Sequence, residues 1–308
     1  MAIAPPMLRR GDTVGIVTLG SPLNRATIDA RIAVLRSTGL NTIVGEHVYE
    51  QDGFLAGTDE DRAADLMAMF QNDEVRLILP TRGGTGVAGI LPYLDFDIIR
   101  NNPKLISGYS DITILLNALY QYADLITLQS LMLIDFSLQT PVYNFEQFFT
   151  ATSIPTPTRR ISNPPSIPMI SRIPGNVTGP LVGGNLTSFV DTLGTPYEID
   201  IRNKILVLEE THEPTNTVYR YLNHLQLAGK LEECAGIIMG ECTGCLEAYG
   251  VSYQELIEDV IVPLGKPLMT NVTTAHGIYK AALPIGAVVN LNTTANQLTV
   301  VEPTVVTS

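Results

Sequence analysis

Short runs rich in β-branched residues alternate with helix-periodic segments through the first 130 residues of the chain. Helical periodicity extends over 24–39, 58–72 and about 111–122, where apolar side chains recur on one face. The strand-like runs are TVGIVTL, NTIVGEHV, VRLILPT, KLIS and LITLQSL. This alternation predicts an α/β fold in which parallel strands are joined by helices that cover both faces of the sheet.

Two turns at the ends of these predicted strands are candidate ligand-binding elements. TRGGTG (81–86) follows one strand, and GYSD (108–111) follows another. Ligands of parallel sheets gather beyond the carboxyl ends of the strands, at the turns into the helices. We therefore expect the functional site at this edge of the sheet.

A proline-rich segment divides the chain. Residues 151–175 have too many prolines to hold a helix and are predicted to be a linker. Residues 1–150 would then form the N-terminal α/β domain. Residues 176–308 would form a smaller, β-rich α+β domain, in which NKILVLEET is the clearest strand.

The charge of the chain argues against a nucleic-acid partner. Nineteen Lys and Arg stand against 31 Asp and Glu, a net charge of −12, which repels phosphate backbones. An anionic substrate would need a local basic group. We also expect no membrane span, because no apolar run approaches the required length of about 18 residues. The start lacks a basic region ahead of an apolar run, so we expect a cytoplasmic protein.

The cysteines do not form a recognisable metal motif. Cys242 and Cys245 have the Cys-x-x-Cys spacing, and Cys234 stands alone. No second cysteine pair or histidine cluster completes a zinc site. We expect structural thiols, with redox or metal use as the alternative.

Ser110 is a candidate nucleophile. It precedes an apolar helical stretch in LISGYSDITILL, where a serine is also an ordinary helix N-cap. A nucleophilic serine needs a base, usually His, and a carboxylate that orients it. His276 is the best placed of the four histidines, since small residues surround it. Glu209 and Glu210 close a strand, and strand alternation alone does not decide between them.

Seven motifs follow one another along the chain: LAGTDEDR, RGGTG, LPYLDFD, GYSDIT, LVGGNLT, LVLEE…EP…YR and AHG. In this order they resemble those of the LD-carboxypeptidase family, which comprises muramoyltetrapeptide carboxypeptidases and the related microcin C immunity peptidases. The resemblance runs from about Gly11 to Asn292. It implies a flavodoxin-like N-terminal domain, a β-rich C-terminal domain and an active site between them. It also implies a homodimer that needs no metal or organic cofactor.

The resemblance assigns the members of a catalytic triad. Ser110 of GYSD corresponds to the nucleophile, and His276 of AHG corresponds to the base. Glu209, the first acid of LEE, corresponds to the carboxylate that orients this base. The order Ser…Glu…His is acceptable, because roles rather than chain order define a triad.

Backbone amides are the expected oxyanion donors. The N–H of Asp111 lies at the start of a helix, where the helix dipole favours negative charge. We expect the second donor to be the amide of Gly84, with Gly83 as the alternative. Arg82 either pairs with a substrate carboxylate or supports the turn through a salt bridge. Thr85 stands where the family usually has a bulky residue, which would alter the mouth of the site.

The implied activity is release of a terminal D-alanine from muropeptide tetrapeptides during cell-wall recycling. The partner would be a small peptide. One alternative is a microcin C-type immunity peptidase that cleaves an aspartyl-nucleotide amide bond, although the absence of Trp favours the carboxypeptidase. The other alternative is a non-catalytic, flavodoxin-like binding protein.

Overall fold

Two β-sheets, one of six strands and one of eight, form the framework of the computed structural model, which describes residues 2–307. The strands are β1 (Thr13–Val17), β2 (Asn41–Val44), β3 (Val75–Pro80), β4 (Leu105–Gly108), β5 (Thr127–Gln129), β6 (Arg159–Ile161), β7 (Ile170–Ile173), β8 (Asn176–Asn185), β9 (Ile205–Thr211), β10 (Gly236–Thr243), β11 (Leu268–Val272), β12 (Leu283–Ile285), β13 (Val288–Asn292) and β14 (Gln297–Val300).

Capping side chains mark the start of several helices, among them the first two. Asn24 accepts a hydrogen bond from the amide of Thr27 at the start of the first helix, and Thr58 accepts one from Asp61 at the start of the second. None of the helices within residues 2–307 has the length and apolar composition needed to cross a membrane. The α-helices are α1 (Arg25–Ser37), α2 (Asp59–Gln71), α3 (Val87–Ile90), α4 (Phe96–Asn101), α5 (Ile112–Ala123), α6 (Val142–Ser153), α7 (Leu186–Asp191), α8 (Thr215–Leu227), α9 (Lys230–Glu233) and α10 (Tyr253–Leu256).

The six-stranded sheet has the order β12-β5-β4-β3-β1-β2. Strands β1 to β5 are parallel, as the alternation predicts, and their side chains fill a core on each face. In β1, Val14 and Ile16 pack on one face, whereas Val17 packs on the other. The α/β fold class is therefore confirmed. Strand β12 was not predicted in this sheet: it pairs antiparallel with β5 at the edge, although it comes from the last part of the chain.

The eight-stranded sheet has the order β6-β14-β13-β8-β9-β10-β11-β7. Its centre, β8 to β11, is parallel, and the flanking pairs are antiparallel. The two outermost strands, β6 and β7, lie within 151–175, the segment predicted to be a linker. The prolines of this segment flank the two strands and do not interrupt either of them. The predicted domain boundaries stay a prediction.

Helix α5 is hydrogen-bonded to β8. The side-chain amide of Asn117 donates to the carbonyl of Gly183 over 2.9 Å and accepts from the amide of Gly183 over 2.9 Å. One turn earlier, the hydroxyl of Thr113 accepts from the amide of Asn185 over 3.0 Å. These buried contacts attach the helix that follows GYSD directly to the centre of the other sheet.

Replacing Gly183 by alanine should strongly destabilise the protein. Gly183 has φ +108, and a Cβ there would overlap the carbonyl oxygen of Val207. We expect Gly183→Ala to lower the free energy of unfolding by about 3 kcal/mol or more, the combined cost of left-handed backbone and overpacking. Gly194→Ala is the control, since Gly194 has φ +75 but open space around it, and should cost about 1 kcal/mol. Urea unfolding measures the free energy of unfolding of both variants. Equal losses in Gly183→Ala and Gly194→Ala would contradict the importance of the close approach between Gly183 and Val207.

Candidate active site

Ser110 occupies the sharp turn between β4 and α5. Its φ is +63, an uncommon conformation for a residue with a side chain. Such strain is a feature of turns that present a nucleophilic serine between a strand and a helix. The N-cap of α5 is Asp111, so the alternative that Ser110 caps this helix is wrong. The Ser110 side chain is therefore not required for capping.

Glu209 and His276 form a hydrogen-bonded pair. The Nδ1 atom of His276 lies 2.8 Å from Oε2 of Glu209. Glu209 lies in the buried part of β9 with a side chain that is 1% exposed, whereas that of His276, in the loop after β11, is 15% exposed. A buried carboxylate on Nδ1 fixes the orientation of the ring and leaves Nε2 for proton transfer.

The neighbouring acid, Glu210, has a structural role. Its Oε1 atom accepts from the side chain of Asn185 and from the amide of Thr211. Its Oε2 atom accepts from the amide and the hydroxyl of Thr187. Both oxygens are thus engaged, and the pairing with His276 falls to Glu209. The contacts settle a choice that strand alternation left open.

Tyr109 connects the histidine with the serine turn. Its buried ring meets the His276 ring edge to face, with centroids 5.1 Å apart, and it directly precedes Ser110 in the chain. Its hydroxyl donates to Asp135 over 3.1 Å. Burial raises the pKa of Tyr109 well above its usual range, which keeps the phenol protonated. A direct hydrogen bond between Ser110 and His276 stays a prediction.

The glycine-rich turn after β3 lies against the serine turn. A Cβ at Gly83 would stand 2.7 Å from Cβ of Ser110 and 3.0 Å from the amide nitrogen of Asp111. Only glycine allows so close an approach of the two backbones. Gly84 has φ +100 and lines the adjacent cavity. The amides of Asp111, Gly84 and Gly83 stay predictions as oxyanion donors.

Ser110 opens into a cavity of about 600 Å³ between the two sheets. Asp111 lines it and accepts hydrogen bonds from the amide of Val87 and the hydroxyl of Ser188, while burial raises the pKa of its carboxyl group. The wall is strongly acidic. The polar residues of the lining are Thr85, Ser110, Asp111, Asn185, Thr187, Ser188, Asp191, Glu210, Thr211, Glu213 and Tyr221.

Of the two predicted substrate-binding residues, Thr85 belongs to the lining of the cavity and Arg82 does not. Thr85 is exposed, lines the cavity and donates its amide to the hydroxyl of Ser21. Arg82 is half-buried, and its positive charge acts on Tyr109. Binding of substrate by either residue stays a prediction.

The other candidate residues have different surroundings. His47 is paired with Glu50 over 2.8 Å on the surface of the six-stranded sheet. His212 contacts the hydroxyl of Thr211. Cys242 and Cys245 form a disulfide, so the prediction of structural thiols is wrong for this pair. Their close spacing in a turn permits the bond, which local sequence could not distinguish from reduced cysteines.

Several polar residues of the site were not singled out from the sequence. Asn185 belongs to LVGGNLT and Tyr109 to GYSD, so the motifs contained them without assigning a contact. Lys280 follows AHG in an otherwise apolar stretch and is buried. A charged residue within an apolar loop is a usable signal, because burial of a charge requires partners.

Comparison with known sequences identifies the family. The family model described as the LD-carboxypeptidase N-terminal domain matches residues 14–130, and that of the C-terminal domain matches 178–291. The chain is 36% identical to a Bacillus subtilis protein described as a probable murein peptide carboxypeptidase, over 97% of this chain and 94% of that protein. The chain belongs to the LD-carboxypeptidase family. It is accordingly a serine peptidase, as the sequence motifs indicated.

Solved structures share the fold. The structure of MccF in complex with glutamyl sulfamoyl guanosine is similar with a TM-score of 0.91 at 23% identity, covering 98% of this chain and 99% of that one. The muramoyltetrapeptide carboxypeptidase from Oxalobacter formigenes has a TM-score of 0.82 at 24% identity, covering 93% and 97%. At these identities the similarity establishes the fold, and the substrate must be inferred from the site.

Ionised Glu241 should destabilise the protein at pH values above the ordinary pKa of glutamate. Its side chain packs against Gly277, next to His276, and burial raises its pKa from the usual value of about 4.5. A raised acid pKa means that the folded state binds the proton more tightly, so stability falls as pH rises through this range. We expect Glu241→Gln to raise the free energy of unfolding at neutral pH.

The gain from Glu241→Gln should disappear below the ordinary pKa of glutamate, where both states are protonated. The gain in the free energy of unfolding is measured by urea unfolding at pH values below and above that pKa. Glu232→Gln removes an exposed glutamate and serves as the control, with no expected change. A gain of the same size at every pH would contradict the electrostatic cause.

Proposed function

We propose that this serine peptidase is an LD-carboxypeptidase that releases the terminal D-alanine of muropeptide tetrapeptides. The observation that carries the proposal is the hydrogen-bonded Glu209–His276 pair, which packs through Tyr109 against the strained turn of Ser110. A serine hydrolase of the triad type needs a nucleophile, a base and an orienting carboxylate at one site. The murein peptide carboxypeptidase relative supports the substrate class.

In the proposed mechanism His276, oriented by Glu209, removes the proton of Ser110. The serine oxygen attacks the amide carbonyl that joins the L-centre of diaminopimelate or lysine to D-alanine. The amide of Asp111, together with that of Gly84 or Gly83, stabilises the oxyanion. Collapse breaks the C–N bond as His276 protonates the departing amine, and water then hydrolyses the acyl-enzyme by the same route.

The charge of the cavity supports a substrate that carries an ammonium group. Asp111, Asp191, Glu210 and Glu213 line it, and among the described lining residues none is Lys or Arg. The side chain of diaminopimelate or lysine supplies such a cation, whereas an aspartyl nucleotide brings negative charge. Arg82, in the glycine-rich turn after β3, is the candidate partner of the terminal carboxylate.

A homodimer and a cytoplasmic location stay predictions. The Cys242–Cys245 disulfide bears on the predicted location, because disulfides persist mainly in oxidising compartments and are rare in the cytoplasm.

Ser110→Ala should abolish activity. We expect the rate of alanine release from a muramoyl tetrapeptide, followed by mass spectrometry, to fall at least about 10³-fold, because no covalent intermediate can form. Ser37→Ala changes an exposed serine of α1 and should leave the rate unchanged. Persistent activity of Ser110→Ala would exclude the serine mechanism.

The same assay separates the alternatives. Cleavage of an aspartyl-adenylate analogue without activity on the tetrapeptide would identify an immunity peptidase. Tight binding of the peptide without any hydrolysis would identify a non-catalytic binding protein.

Acetylation of the side-chain amine of the substrate should weaken the reaction. We expect kcat/KM to fall about tenfold or more, the value of one hydrogen bond to a charged group. Glu213→Gln should reduce this preference, while Glu232→Gln, away from the cavity, should retain it. Equal kcat/KM values for the free and acetylated amine would show that the acidic wall does not select the substrate.

A further inference from the structure

The loop that carries His276 is closed at its base and held from within by one side chain. The amide of Ala281 donates to the carbonyl of Thr273 over 2.9 Å and closes the loop. Inside it, Nζ of Lys280 donates to the carbonyl of Ala275 over 2.5 Å and to that of Gly277 over 2.8 Å. These are the two carbonyls that flank His276, so the ammonium group determines the path of the backbone on both sides of the histidine.

The same ammonium group contacts the serine turn. It lies 4.8 Å from the centroid of the Tyr109 ring and 3.8 Å from Oδ1 of Asp135. Tyr109 and Asp135 are themselves hydrogen-bonded, and Tyr109 directly precedes Ser110. The contacts of Lys280 therefore reach both the histidine loop and the segment that presents the serine.

We propose that Lys280 is a positioning residue that holds the His276 loop against the Ser110 turn. The proposal rests on the proposed function, since it concerns the alignment of its base and nucleophile. The contacts of Lys280 are with the carbonyls that flank His276, with Asp135 and with the Tyr109 ring, so it acts through His276 and Tyr109.

The loop requires such a contact because its backbone is strained. Ala275 has φ +53, a left-handed conformation that costs about 1–2 kcal/mol for a residue with a Cβ. The lysine side chain is 9% exposed, and desolvation lowers its pKa. Burial of an ammonium group is tolerated only with several partners, which here are two carbonyls, the Asp135 carboxylate and the Tyr109 ring.

The far side of the loop has its own anchor. The side chain of Asn144 on α6 donates to the carbonyl of Ile278 over 3.0 Å and accepts from the amide of Lys280 over 2.8 Å. These bonds hold the backbone of the loop without contacting the residues next to His276. Loss of the Lys280 ammonium should therefore displace the histidine more than it unfolds the loop.

Lys280→Met tests the proposal, because it keeps the apolar stem and removes the ammonium group. We expect kcat for the tetrapeptide to fall about 10- to 100-fold, the effect of a displacement of about 1 Å at a reacting group, with KM little changed. Lys280→Arg retains the charge and should recover part of kcat.

Lys104→Met is the matched control. Lys104 is also buried, and its Nζ donates to two backbone carbonyls, those of Asn72 and Val75, far from the site. We expect it to lose thermal stability as Lys280→Met does but to keep kcat. An equal loss of kcat in both variants would show a general effect of stability and overturn the proposal.

A spectroscopic readout does not depend on turnover. A proton on Nδ1 of His276 that is hydrogen-bonded to Glu209 should give a downfield NMR resonance, absent from His276→Ala. We expect Lys280→Met to broaden or shift this resonance and Lys104→Met to leave it unchanged. An unchanged resonance together with unchanged kcat in folded Lys280→Met overturns the proposal.

Asp135→Asn tests the contact between Lys280 and Asp135 by changing the acidic partner. It is the variant to use if Lys280→Met does not fold. It removes the negative charge beside Lys280 and should lower kcat without raising KM, whereas an unchanged kcat overturns the proposal.

Ser110→Ala distinguishes a failure of the proposed function from a failure of the proposed role of Lys280. If Ser110→Ala stays active, the proposed function fails; if it is inactive while Lys280→Met retains full kcat, only the role of Lys280 fails.

Discussion

The buried hydrogen bonds between α5 and β8 are the constraint on which the site depends. Asn117 satisfies both the amide and the carbonyl of Gly183, and Thr113 satisfies the amide of Asn185. Because α5 begins directly after Ser110, these bonds set the position of the serine turn relative to the eight-stranded sheet. An unpaired backbone group at this depth would be costly, so the register of the contact is well determined.

The position of the carboxylate follows from the same contact. Strand β8 pairs in parallel with β9, and in this register Asn185 lies opposite Glu209. Glu209 in turn holds His276, 67 residues further along the chain. A continuous path of backbone pairing and side-chain hydrogen bonds therefore connects Ser110 with the imidazole. The pairing of the strands thus positions Ser110 and Glu209, while His276 stands in the loop after β11.

Strain and buried charge are concentrated around this path. Ser110 and Ala275 both have positive φ values, and Lys280, Asp135 and Glu209 are largely removed from water. Such features reduce stability unless the surrounding contacts over-determine them. Here each has a dense set of partners, with the exception of Oε1 of Glu209, which lacks one among the described residues. The arrangement is consistent with a site selected for orientation rather than for stability.

Much of the framework could be predicted from local pattern. Strands β1 to β5, helices α1, α2 and α5, and the serine turn all follow from periodicity and from the positions of Gly and capping residues. Edge strands β6 and β7 were not predicted because the prolines that flank them gave the segment the composition of a linker. Strand β12 was not predicted because a strand of three residues is too short to show a periodic pattern.

The sequence by itself determined the alternating architecture of the first sheet and the three residue types that a serine hydrolase needs, because side-chain periodicity and chemical identity are local properties. Only the tertiary structure decided that Glu209 rather than Glu210 holds His276 and that the two close cysteines are bonded. It alone also brought Lys280 between the histidine loop and Tyr109. Each of these outcomes depends on which side chains face one another across separate segments, and no local pattern encodes that pairing.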